Sequence, residues 1–95
     1  MSEVIDQAVV ALNEKVGNGF DGSAKFVIED EGNIVLDGAG ARESDDDTDV
    51  TMTADADTFR SILEGDLNPT SAFMSGRLKI DGDMGTAMKL ASALS

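Results

Sequence analysis

The sequence predicts one α+β domain, with helices laid on one face of a mainly antiparallel sheet. Three observations point there. Apolar residues recur at helical spacing near both ends of the chain, from Ile5 to Val16 and again from Met84 to Leu94. Between these ends, short runs alternate apolar and polar side chains as half-buried strands do. The whole chain is 95 residues, which leaves room for a single core, so residues 1–95 are read as one domain without linker or internal repeat.

The first helix is expected to take Ser2 as its N-cap and to bury the stripe Ile5, Ala8, Val9, Leu12 and Val16. Gly17-Asn18-Gly19 stops it, because both residue types accept the left-handed backbone at a helix C-terminus. Ala24, Phe26 and Ile28 then alternate with Lys25, Val27 and Glu29. After the turn Asp30 to Asn33, Ile34 and Leu36 resume the alternation against Val35 and Asp37, which completes a hairpin. A weaker, edge-like stretch follows Gly38-Ala39-Gly40, and then comes the acidic run Glu43 to Asp49. Charges on an edge strand or its turn discourage sheet-to-sheet association, a sufficient reason for such a run. Val50, Met52 and Ala54, alternating with Thr51, Thr53 and Asp55, give a further strand.

The rest is mostly helical. Asp55 or Asp57 caps a helix with Phe59, Ile62 and Leu63 inward, and Gly65 ends it. Asn68 as cap and Pro69 at the first helical position open a short helix carrying Ala72, Phe73 and Met74 before Gly76. Arg77-Leu78-Lys79-Ile80-Asp81 alternates as a strand open to water on one face. Asp83 caps the last helix, whose Met84, Ala87, Met88, Leu90, Ala91 and Leu94 cover an arc of roughly 160° at about 3.6 residues per turn. So wide a face either lies deep in the domain or lines something apolar.

Composition removes much chemistry. With no Cys and no His, disulfides, thiolate nucleophiles, zinc sites of the Cys/His type and the usual imidazole base are all excluded. A non-enzyme without cofactor or bound metal is the expectation. The apolar complement is four Phe, five Met and no Trp or Tyr. Met has flexible torsions and fills irregular gaps, so such an interior tolerates a changing occupant; an ordinary, loosely specified core is the plainer reading. Net charge is −12, of which residues 1–50 carry −10 and residues 51–95 only −2. No Lys/Arg cluster is present to neutralise phosphates, so neither nucleic-acid binding nor stable membrane association is expected. Any membrane contact would be led by the near-neutral C-terminal half. Heavy Asp usage is also what a salt-adapted surface shows. No apolar run approaches the roughly 20 residues of a membrane span, and neither a signal peptide nor a Ser-Lys-Leu-type ending is seen, so the cytoplasm is the expected location.

Three motifs invite a binding role. Gly17-Asn18-Gly19-Phe20-Asp21-Gly22 has the dinucleotide-binding spacing, but its glycines follow a helix and open a strand, the reverse of the polarity that presents a helix N-terminus to a pyrophosphate. Asp45, Asp47 and Asp49 alternate like calcium ligands, yet Val50 and Ala56 stand where an EF-hand loop needs Gly and Glu. A solvated acidic turn accounts for them. Arg77 and Lys79 on one strand face could steer a ligand carboxylate; offsetting nearby Asp is the simpler role.

The stretch from Gly65 to Asp83, GDLNPTSAFMSGRLKIDGD, resembles the signature of the sterol carrier protein 2 (SCP-2) family: Gly after a helix, Pro starting a short helix, Ala-Phe-Met, Gly, a basic–apolar strand, then Gly-Asp before a terminal amphipathic helix. Asp49 to Asp55 and Gly22 to Phe26 resemble the family's upstream strands. The resemblance implies an SCP2-like domain of five strands with helices enclosing an apolar cavity, which binds sterols, fatty acids, acyl-CoA or phospholipids. By matching position, Phe59, Phe73, Met74, Leu78, Ile80, Met84, Met88 and Leu94 would be the ligand-binding residues. The implied function is non-catalytic binding and transfer of a fatty acid, acyl chain or other lipid. Each buried methylene contributes about 0.8 kcal/mol, so no catalytic group is required. The chain is short, which favours an acyl chain or isoprenoid over a sterol. The alternative is an accessory module that presents a lipid or isoprenoid substrate to a partner enzyme, as the resemblance of some ubiquinone-biosynthesis helpers to this family suggests.

Overall fold

A computed structural model describes residues 3–16 and 20–94. The elements run α1 (Glu3–Val16), β1 (Ala24–Ile28), β2 (Gly32–Asp37), β3 (Gly40–Glu43), β4 (Val50–Ala54), α2 (Ala56–Leu63), α3 (Pro69–Met74), β5 (Lys79–Gly82) and α4 (Met84–Leu94). This is the predicted α+β order, element for element. The expected cap at Ser2, the stop at 17–19 and the final Ser95 lie outside the described residues.

The five strands form one sheet in the order β3-β2-β1-β4-β5. All neighbours are antiparallel except the central pair, β1 and β4, which run parallel with Phe26 opposite Met52. Nothing in the alternation had indicated the parallel pair. The β1–β2–β3 meander uses one edge of β1, and the chain then returns across residues 44–49 to the other edge. On the inner face, Ile34, Phe26, Met52 and Ile80 stand in one cross-strand row, and Leu36, Ala24 and Val50 in the next. Onto these rows α1 lays Ile5, Ala8 and Leu12, and α4 lays Ala87, Leu90 and Leu94, all buried in one apolar cluster. The Phe59 ring from α2 stacks on Phe26 with centroids 5.0 Å apart, a close offset geometry for aromatic pairs.

The outer face is not simply open to water. The acidic run, read above as an edge or turn device, crosses this face as a strap. Lys25 Nζ lies 3.4 Å from Asp45 Oδ1, Asn33 Nδ2 donates to the same oxygen at 2.8 Å, and Arg42 pairs with Asp37 and Asp46 at 3.0 and 3.7 Å. The Asp49 N–H donates to Ser23 Oγ. Exposed ion pairs of this kind stabilise little by themselves. Their effect is to hold the Lys25 and Arg42 stems on either side of Val35, which is buried although its alternation points it outward.

Both sheet edges are managed locally. At β3, the Asn13 side chain of α1 accepts from the Ala41 N–H (2.9 Å) and donates to the Ala41 carbonyl (3.2 Å), so the free edge of that strand is occupied at Ala41. At the other edge β5 begins at Lys79, two residues later than the alternation from Arg77 suggests, and ends at Gly82 opposite Val50. Gly82 has φ +111°, and a Cβ there would sit 2.5 Å from the Asp49 carbonyl oxygen, so only glycine lets β5 close on β4.

Two helices start with the same device. Asp55, not Asp57, caps α2 by accepting from the Thr58 N–H at 2.7 Å. Asp83 accepts from the Gly85 N–H and from the Thr86 hydroxyl at 2.6 Å. In each case the threonine three residues on is buried, so an Asp-x-x-Thr step ties the helix start to the core.

Candidate ligand-binding site

The eight residues expected around a ligand divide into two groups. Phe59, Leu78 and Leu94 are buried and Ile80 is half-buried, and all four belong to or pack on the main apolar cluster. Phe73, Met74, Met84 and Met88 lie at the surface, with Met74 79% and Met88 71% exposed. The wide apolar arc of α4 is therefore split. Ala87, Leu90 and Leu94 face the sheet, Ala91 is half-buried, and Met84 and Met88 stand on the far side. The six-residue α3 buries Pro69 and Ala72, which leaves Phe73 and Met74 outside and too little helix to roof the methionines of α4.

Two recesses open between elements of the helix layer, the first mainly apolar and the second mainly polar in its lining. The first, about 160 Å³, lies between α1 and α2. Val4, Ala8 and Ala11 form one wall, Ala56, Phe59 and Leu63 the other, and Gln7, Arg60 and Glu64 stand on the lip. Its floor is Phe59, whose ring rests on Phe26 of the sheet. The second, also about 160 Å³, lies between α3 and α4 and is lined by Asn68, Thr70, Met88, Ala91 and Ser92. Each is below the roughly 300–1,000 Å³ of typical small-molecule pockets.

Of the predicted residues, Phe59 is brought to the first recess and Met88 to the second. The α1 wall and Arg60 were missed. Val4, Ala8 and Ala11 follow helical spacing, but they lie on the flank of the Ile5–Ala8–Leu12 stripe, and periodicity marks a stripe without saying what its flank faces. A signal was available in the small residues Ala8, Ala11 and Ala56, which let two helices meet without filling the space between them.

Gln7 Nε2 donates to Glu3 at 3.3 Å. The Asp55 carboxyl is held below its ordinary value by the hydrogen bonds from Thr58, and Asp83 likewise by the Thr86 hydroxyl and then the Gly85 N–H, so both carboxylates are committed to capping.

A sheet roofed by helices, with an apolar groove open between α1 and α2, defines the class: a small α+β carrier fold for apolar ligands. Residues 8–95 match the SCP-2 sterol transfer family, and the chain belongs to it. This is a family of sterol and lipid transfer, and its domain is a lipid-binding one. Among solved structures, sterol carrier protein 2-like 2 from Aedes aegypti aligns over 94% of each chain with a TM-score of 0.77 at 20% identity. The Aedes aegypti sterol carrier protein 2 in complex with palmitate covers all of this chain and 97% of its own, with TM-score 0.77 at 21% identity. In sequence, hydroxysteroid dehydrogenase-like protein 2 of Xenopus laevis is 40% identical over 92 residues. The match covers 88% of this chain but 22% of that protein, so the chain spans about a fifth of the length of this curated relative.

Proposed function

We propose that this domain is a non-catalytic carrier that takes up the hydrocarbon chain of a single-chain lipid, a fatty acid or fatty-acyl compound, beneath its helices. The observation that carries this reading is the α1–α2 groove, whose apolar walls lead to Phe59 and, behind it, to the Phe26–Met52–Ile80 row of the sheet. Displacing one aromatic ring would join the groove to the core. Burying a chain of some fifteen methylenes gains about 12 kcal/mol gross, at about 0.8 kcal/mol each, against the cost of association and of parting the helices. The palmitate complex of a protein with the same fold supports the ligand class.

Native mass spectrometry of the full chain with hexadecanoate tests it directly. One equivalent bound is the expected result; no uptake of any acyl lipid by folded protein would overturn it. A second reading has one observation in its favour: a longer dehydrogenase-like relative carries the matching segment as a small part of its length. In that reading the domain hands its lipid to a partner enzyme. A stoichiometric enzyme recovered with the purified chain, dependent on bound lipid, would support it.

A further inference from the structure

We propose that the lip of the α1–α2 groove is a head-group subsite, where Arg60 receives the carboxylate of a fatty acid whose chain lies over Phe59. The proposal rests on the carrier reading and names its ligand class more narrowly: anionic single-chain amphiphiles rather than neutral ones.

Arg60 follows Phe59 on α2 and lines the same groove. It is exposed, and its guanidinium makes no hydrogen bond or ion pair among the described residues. Lys25, Arg42 and Lys89 each lie within 4 Å of a carboxylate, whereas Arg60, like Lys15, Arg77 and Lys79, has no such ion pair among the described residues; of these four, Arg60 lines the groove. A guanidinium presents a planar fork that accepts a carboxylate through two parallel hydrogen bonds, and it keeps its charge at any physiological pH. Apolar side chains begin directly beneath it, with Phe59 and Leu63 on its own helix and Val4 and Ala8 across the groove. A ligand in the groove must therefore meet charge at the lip and hydrocarbon along the walls, as a fatty acid does. Glu64, one turn further along the lip, carries the opposite sign. It repels a carboxylate placed beside it and competes for the guanidinium, so it sets the polarity of the site with the head at Arg60.

The test uses two ligands of equal chain length, hexadecanoate and 1-hexadecanol, titrated against the full chain at low ionic strength. The wild type is expected to bind the acid more tightly than the alcohol. Arg60→Gln is expected to weaken the acid at least tenfold and to leave the alcohol within about twofold, while Arg60→Lys restores part of the acid's advantage and Glu64→Gln increases it. Because Arg60 is exposed and unpaired, its substitution leaves folding intact, which circular dichroism would check. Equal loss for acid and alcohol, or no loss for either, overturns the head-group subsite and leaves the carrier reading standing. Binding of neither ligand by the wild type overturns both. Hexadecyl phosphate separates the sources of charge: binding as tight as the acid assigns the subsite to anions in general.

Discussion

The two ends of the helix layer use similar apolar patterns to different ends. At the α1–α2 end the large apolar residues of the stripe go inside: Ile5 and Leu12 are fully buried, Phe59 and Ile62 nearly so, and what remains between the helices is a groove edged by alanines. At the α3–α4 end the apolar surface exceeds the partner available to cover it. Leu90 and Leu94 are buried, but Met84, Met88, Phe73 and Met74 are not. The width of an apolar face in a sequence therefore counts candidates for burial. How many are buried depends on the length of the neighbouring element, here a helix of six residues.

The sharpest way to test this contrast is to cut into each end. Leu90→Ala, like Leu12→Ala, removes a side chain from the full core and is expected to cost about 2–5 kcal/mol in chemical denaturation. Gly82→Ala comes next. Its Cβ meets the Asp49 carbonyl at a φ that disfavours side chains, so a loss of about 1–3 kcal/mol is expected, felt where β5 joins β4. A smaller effect should appear with acid. Asp55 and Asp83 cap the helices of the two ends, and both carboxyls lie below their ordinary value of 3.8 when folded. Asp37 is shifted in the same direction, first by the Ala39 N–H and then by Arg42. A lowered folded-state value contributes stability that is present above the ordinary carboxylate range and lost as pH falls through the folded-state value. Thermal stability should therefore decline below about pH 4, less steeply in Asp83→Asn. The smallest effect belongs to Met88→Gln, within about 0.5 kcal/mol as for other surface changes. If it costs as much as Leu90→Ala, the two ends do not differ as described.

Much of this was legible because the signals are local. Asn68-Pro69, Asp83 and the Ala24–Phe26–Ile28 alternation each act within a few residues, and each forms the predicted feature. What was not legible depends on which elements meet. Alternation told that β1 and β4 each have one buried face, but not that they lie side by side and parallel. Val35 reads as an outward residue until Lys25 and Arg42 close over it. The site suffered the same limit. Phe59 could be named from its own helix, whereas the groove around it needs the flank of α1, some fifty positions away in sequence, and Arg60 looks like any surface arginine until that flank is in place.

The parallel pairing of β1 with β4 also has a consequence in time. On one side β1 has a neighbour joined by a tight turn; on the other its partner is reached only after two more strands and the 44–49 loop have been laid down. Contacts between distant segments form only after the intervening chain has been ordered, so they are the slow ones. The ladder between β1 and β4 is thus expected to close after the β1–β2 hairpin. Pulse-labelled hydrogen exchange should find the β1–β2 amides protected before those that join Phe26 to the Met52 strand.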